Sequence, residues 1–385
     1  MNRMSIFGIL LVGALANIKI GLPILIGFLV VFFKKARLPK TYEVIAFLLL
    51  LKLFWILSTH FLIGTRADDL YLPQLIAQDI ILLLMLFISL GRVSVARILT
   101  PIIFLFAIDF IFNISILLFD VDPLGRTVGL RVDDILPRAG GVFNHPFASI
   151  NISAVAFFIG VFLKSKKIMF FALCALLLNG SMRGPLTGVL ILFSAFLLYY
   201  HLNKRVIVTM LLGFAAAVFL ATFISASNAE YISGNYLRII SWTNALSHIV
   251  ENPILGTHIF PEGEHGWVGD VHYSTRNAES QFLQNALDFG IIVAMINPLI
   301  FYILMHLNIK RFYSVDRSWE RASAILMIMT VFSDHFYGSF YGSILTQFVF
   351  SVIVISYTKS RRVQFFNNSP LCQDTCPLSN LSIQT

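Results

Sequence analysis

The chain has 385 residues, of which 57% are hydrophobic and only 12% charged, with a mean hydropathy of +0.82; a soluble globular chain carries about 25% charged residues, so this one uses lipid as a solvent. The net charge of +8 does not point to nucleic acid, because the basic residues fall in short clusters between apolar runs, as in membrane proteins with positive inner loops. Three cysteines, Cys174, Cys372 and Cys376, form no disulfide framework.

A spanning helix needs about 20 predominantly apolar residues. The first apolar stretch, 4–33, is interrupted by Asn17, Lys19 and Pro23, and divides into two short helices, 4–17 and 20–33. No small-residue cleavage site follows it, so it is expected to be retained membrane helix rather than a signal peptide. Further spans are predicted over 41–60, 73–90, 98–119, 146–163, 168–182, 184–200, 206–224, 281–307, 322–336 and 344–357. The expected fold class is all-α, a polytopic membrane helical bundle of about 12 spans. It forms a single transmembrane domain over 1–357, followed by a polar, disordered cytoplasmic tail over 358–385.

Orientation follows from the loops. Lys34, Lys35, Arg37 and Lys40 mark one side as cytoplasmic, and every second loop after them is basic. The same side receives Arg92 and Arg97, then Lys164, Lys166 and Lys167, then Lys204 and Arg205, then Lys310, Arg311, Arg317 and Arg321, and finally Lys359, Arg361 and Arg362. Both termini are therefore expected inside. Apart from the ambiguous Lys19, the basic residues of the other side are all arginine: Arg66, Arg126, Arg131, Arg138, Arg183, Arg238 and Arg276. Either arginine is merely tolerated in translocated loops, or the outer face binds an anionic, phosphorylated ligand. The guanidinium fork matches phosphate oxygens bidentately and keeps its charge at any pH.

Three outer segments stand out. In "RAGGVFNHP" (138–146), Arg138 precedes Gly140-Gly141, a backbone free to approach a ligand closely, and Asn144-His145 follow. In "LNGSMRG" (178–184), Arg183 is bracketed by apolar spans, which makes it a functional candidate or a side chain snorkelling to headgroup phosphates. The third is the largest loop, 225–280, too long for a connector. It opens with the amphipathic helix "NYLRIISWTNALSHIVE" (235–251), carrying Arg238 and Trp242 and ended by Asn252-Pro253. Such a helix either lies at the interface holding Arg238 at a fixed height, with Trp242 at headgroup depth, or only caps the bundle. Beyond it the stretch 256–270 is expected to be irregular. His258, His265 and His272 recur at intervals of seven, a spacing without ligand meaning on a loop, so no metal site is expected. Arg276 and Glu279 sit at the start of the next helix, where Glu279 either favours the positive helix pole or serves chemistry.

Together "RAGGVFNHP", "LNGSMRG", "YLRIISWTNALSHIVENPILG" (236–256) and "ESQFLQNALDFGII" (279–292), in this order, resemble the O-antigen polymerase and O-antigen ligase superfamily of bacterial envelope enzymes. The resemblance covers roughly residues 40–357, with its motif matches between 138 and 292. It implies metal-independent glycosyl transfer on the outer face of the inner (cytoplasmic) membrane, from a glycan carried on undecaprenyl pyrophosphate. Fixed cationic forks stabilise the diphosphate as it leaves; Arg138, Arg183, Arg238 and Arg276 are the candidates. Glu279 and His272, with Arg238, are the catalytic candidates, and Asn144, His145 and Trp242 the glycan-binding ones. No cofactor is implied beyond the lipid-linked glycan itself. The implied partners are lipid-linked oligosaccharide, membrane lipids, a chain-length regulator and a flippase. The ligase pattern has His-Asn or His-Ser before the final helix, where this chain has Glu279-Ser280; that favours a polymerase, with His272 as a displaced equivalent keeping the ligase open. A transporter of lipid-linked sugar or ions is the reading from another class. For that role Lys52, Asp79 and Asp109 lie inside predicted spans, and the preferred alternative is that they pair with one another.

Overall fold

The computed structural model describes residues 34–35, 40–61, 71–89, 95–119, 123, 141–143, 146–178, 188, 234–256, 265–268, 271–274, 280–314, 318–337 and 344–356. The expected spans 4–17, 20–33, 184–200 and 206–224 and the tail 358–385 lie outside the described residues, apart from Gly188.

The described residues are overwhelmingly helical. Helix α1 is Lys40–Thr59, α2 Tyr71–Phe87, α3 Val95–Phe119, α4 Pro146–Phe162 and α5 Lys166–Leu178. Then come α6 Gly234–Glu251, α7 Gln281–Phe289, α8 Ile291–Ser314, α9 Trp319–Tyr337, and α10 Ile344–Phe350, which continues as a π-helical turn over Ser351–Ser356. Three segments among these residues are long and apolar enough to cross a membrane: Tyr42–Thr59, Ile98–Phe119 and Ile291–Ser314. Leu75–Phe87, Ala148–Phe162 and Leu345–Ile355 are shorter apolar helices.

Helix α1 illustrates how sequence makes such a helix two-faced. Val44, Phe47, Leu50, Phe54 and Leu57 are exposed, at spacings of three and four, while Tyr42, Ile45, Leu49, Lys52 and Ile56 are buried. Past the exposed Glu43 of the first turn the outward stripe is apolar, as lipid requires, and Lys52, the charge deeper in the span, is on the inward side. Helix α4 has no outward face along its central stretch: Ile152 through Ile159 are all buried, and it packs on α3, α5, α9 and α10. Its start suits proline, whose missing N–H is unneeded at the first helical position. It ends on Lys164 in a left-handed conformation (φ 58), with Ser165 N donating to Gly160 O at 2.9 Å, a closure of the kind that satisfies terminal carbonyls. A Cβ at Gly160 would stand 2.9 Å from Met169 Cγ, so glycine is what lets α5 fold back so tightly.

The structure differs from the sequence expectation in three places. The span expected over 281–307 is divided at Gly290 (φ 85) into α7 and α8. The π-helical turn replaces the end of the expected span 344–357. The stretch expected to be irregular contains strand β3, His265–Val268, which pairs antiparallel with β4, Val271–Ser274, in the register Trp267 to His272. Strand-forming residues on either side of Gly269-Asp270 carry a hairpin signal that overrides the polar composition of the loop. So the loop is not purely helical. A second ladder of two residues per strand joins β1, Lys34–Lys35, to β2, Ile88–Ser89, tying the first basic cluster to the far end of α2.

Candidate functional site

The amphipathic helix α6 is not loose on the surface. Trp242, Ala245 and Ile249, at helical spacing, are buried and form a cluster with Ala286 and Leu287 of α7 and Ala294 of α8. Trp242 is thus packed against α7 and α8 rather than exposed. Asn252 and Pro253 end the helix, and the turn Pro253–Gly256 docks on the break between α7 and α8. Ile291 N donates to Pro253 O at 2.8 Å, and Gly256 N to Asn252 O at 3.0 Å. Two glycines make the fit possible. A Cβ at Gly290 would fall on Ile254 O, and one at Gly256 (φ 76) would lie 2.6 Å from Leu287 O; both backbones occupy regions that only glycine enters readily. The sequences "NPILG" and "LDFGI" therefore interlock. From α1, Trp55 Nε1 donates to Phe289 O at 3.1 Å, fixing the same break from beneath.

Helix α7 is short and almost wholly buried. Ser280 caps it, its Oγ accepting from Leu283 N at 3.3 Å, which supplies one of the first-turn donors with a partner. Its buried residues include an amide-rich polar set. Gln281 Nε2 donates to Asn285 Oδ1 at 3.2 Å, and Gln284 Nε2 to both carboxylate oxygens of Asp288 at 3.0 and 3.1 Å. These are the i, i+4 pairs a helix brings together. Because α7 precedes the candidate span that starts at Ile291, Asp288 stands outside it. Burial pushes its carboxyl up to about 7, with the Gln284 amide pulling the other way.

Below this junction lies a buried ion pair. Lys52 Nζ stands 2.9 and 2.8 Å from the two carboxylate oxygens of Asp79, and donates to Asn297 Oδ1 at 3.1 Å. It links α1, α2 and α8, and Gln347 Nε2 of α10 donates to the neighbouring Gln78 O at 3.1 Å. A charge at this depth persists only when paired and hydrogen-bonded. Asp109 does not join the pair, contrary to the preferred expectation. It accepts instead from Ser149 Oγ at 2.6 Å, Asn113 Nδ2 at 3.0 Å and Val142 N at 2.9 Å.

The predicted site residues divide as follows. Trp242 is in the α6–α7–α8 cluster. Arg238 lies one turn earlier in α6. His272 is in β4 with Trp267 as its cross-strand partner. Arg138, Asn144, His145, Arg183, Arg276 and Glu279 lie outside the described residues. Glu279 adjoins in sequence the capping residue Ser280. Sequence reasoning did not single out Gln284, Asn285, Asp288 or Asn297. The signal was present: four polar residues at i, i+4 spacing in 281–288, and an Asn directly before Pro298 inside an apolar run. Among the described residues no group of three or more His, Cys, Asp or Glu is placed to hold a metal ion. Comparison of the chain with protein-family models and with curated proteins returns no match.

Proposed function

We propose that this chain is a polyprenyl-pyrophosphate-dependent glycosyltransferase of the bacterial inner membrane. It polymerises undecaprenyl-pyrophosphate-linked oligosaccharide repeat units on the outer face, into O-antigen, capsule or exopolysaccharide. In this reading about 12 spans carry the outer loops, both termini are cytoplasmic, and the loop 225–280 is the catalytic one. The observation that supports it best is the interlock of the Pro253–Gly256 turn with the α7–α8 break, where Ile291 N meets Pro253 O. That contact joins the two longest motif segments into one unit, so that α6, bearing Arg238, and the start of α7, next to Glu279, hold a fixed relation. Transferring a sugar needs such fixed relations among a cationic diphosphate site and a base.

The chemistry then runs as a displacement at the anomeric carbon. The acceptor hydroxyl oxygen forms the new bond to that carbon, and the bond from the carbon to the phosphate oxygen breaks. The diphosphate leaves with the electron pair, toward Arg138, Arg183, Arg238 and Arg276. The hydroxyl proton passes to Glu279 or His272. Arginine serves here because the charge builds on two phosphates at once, and its planar fork spans two oxygens.

A transporter is the second reading, because a buried ion pair stands within a candidate span. Lys52 and Asp79 are matched in charge, and Lys52 also donates to Asn297, which fits a structural role equally well.

The deciding experiment uses the purified chain in proteoliposomes with a labelled undecaprenyl-pyrophosphate oligosaccharide. Wild type should lengthen the glycan, and Arg183→Ala and Arg238→Ala should each abolish elongation while still inserting. Lysine at these positions should restore little, since it lacks the fork. Unchanged elongation in both alanine variants would overturn the assignment. Transfer only to lipid A core would make the enzyme a ligase, and movement of the lipid-linked sugar across the bilayer without transfer would make it a transporter.

A further inference from the structure

We infer that Asp109 is a positioning residue that anchors a re-entrant turn in the outer segment 138–146. This deepens the proposed function and rests on it for the role of Arg138, Asn144 and His145. Asp109 belongs to α3 well short of the helix end at Phe119, about 15 Å along the axis at 1.5 Å per residue. It nevertheless accepts a hydrogen bond from Val142 N at 2.9 Å, within the tight turn Gly141–Phe143. That turn therefore lies beside the middle of α3 rather than above the bundle. Non-helical backbone at membrane depth is stable only where protein or a hydrated cavity satisfies it, and here a carboxylate does so.

The fit leaves no slack. Gly141 has φ 54, and a Cβ there would fall on Asp109 Oδ1, so glycine at 141 is what lets the turn reach the carboxylate. The other carboxylate oxygen accepts from Ser149 Oγ at 2.6 Å and Asn113 Nδ2 at 3.0 Å. One side chain thereby joins α3, the first turn of α4 and the turn between them. Arg138 lies three residues before this anchored backbone and Asn144-His145 directly after it. Fixing the turn fixes the points from which those residues start.

A proton relay through the same group makes an opposite demand. A relay requires an ionisable acid; an anchor requires only an acceptor. Asp109→Asn keeps an acceptor for Val142 N and removes the acid, whereas Asp109→Ala removes both. Hydrogen exchange across 139–146 and glycan elongation are measured on the purified full chain, with folded yield as a control. Asp109→Ala should raise exchange and lower elongation per folded molecule, each about tenfold or more. Asp109→Asn should keep both within about threefold of wild type, and Gly141→Ala should mimic Asp109→Ala. Ser149→Ala, which spares the bond to Val142, should behave like the Asn variant. Normal exchange in Asp109→Ala would overturn the anchor. Raised exchange with unchanged elongation would overturn the positioning role, and an Asn variant as inactive as alanine would replace it with an acid role. If wild type itself fails to elongate the lipid-linked glycan, the transferase reading falls while the exchange arm still decides the anchor. Should the alanine variant fail to fold, the Gly141→Ala and Asn variants carry the same comparison.

Discussion

Lys52 stands on the one face of α1 that lipid does not reach, and it is fully buried together with Asp79 and Asn297. Such a pair is a poor stabiliser on balance, because taking two charges out of water offsets their attraction. Breaking it is costly because one charge is left uncompensated. Lys52→Met should therefore destabilise the protein by about 3–5 kcal/mol. Combining it with Asp79→Leu should recover most of that loss. Thermal unfolding in detergent of both single variants and the double variant checks this as a cycle. Elongation by the double variant then separates roles. A stable, active double variant means the pair only builds the bundle, whereas a stable but inactive one assigns it to the reaction or to transport. The existence of this pair was legible in the sequence, since two opposite charges in neighbouring apolar runs have few other ways to persist. Its third member was not, because nothing in "MINPLI" distinguishes an Asn bonding a lysine from one serving its own helix.

At the scale of elements, the interlock of α6 with α7 and α8 depends on two residues without side chains. Gly290 has φ 85 and ψ 168, a region that is essentially glycine's alone, and forcing another residue into it costs about 1–3 kcal/mol. Gly290→Ala adds a Cβ that meets Ile254 O, so the turn must lift and the bond from Ile291 N to Pro253 O must break. The expected outcome is normal insertion, faster hydrogen exchange throughout α6, and elongation reduced to the level of Arg238→Ala. Exchange in α6 unchanged from wild type would contradict the clamp. Here the sequence was informative only in part. The helix 235–251 and its end at Asn252-Pro253 are local facts, set by apolar spacing and by proline. The division of 281–307 is not local. An apolar run with one Gly reads as a single helix unless the partner that occupies the break is known, and that partner lies more than thirty residues away in the chain. The exposed or buried state of Trp242 has the same origin: amphipathicity predicts that one face is covered but not by what, and the Ala286–Leu287 side of α7 is as apolar as lipid.

For the whole molecule, the basic loops and the helix contacts make one joint statement about orientation. Lys34–Lys35 pair with Ile88–Ser89 after α2, so the first basic cluster and the end of α2 share a side. The α4–α5 turn carries Lys164, Lys166 and Lys167. In the chain the β3–β4 hairpin lies between α6 and α7, and Pro253, just after α6, meets Ile291 at the start of α8. Since Lys and Arg bias loops toward the cytoplasm, the α4–α5 turn should face inside and the hairpin outside. That expectation rests on charge alone, whereas the depth of the turn at Gly141–Phe143 comes from a contact to Asp109 that no periodicity encodes. In a chain with Cys174, Cys372 and Cys376 replaced by serine, Lys166→Cys and Ser274→Cys can be probed with a membrane-impermeant maleimide on intact cells. Ser274→Cys should label at once, and Lys166→Cys only after permeabilisation. Both labelling from one side would mean that an even number of crossings separates them, not the odd number that the expected spans require. The reverse pattern would put the arginines of the 225–280 loop in the cytoplasm. An outward-facing transferase requires them on the opposite side, so this single measurement bears on the fold and the proposed chemistry together.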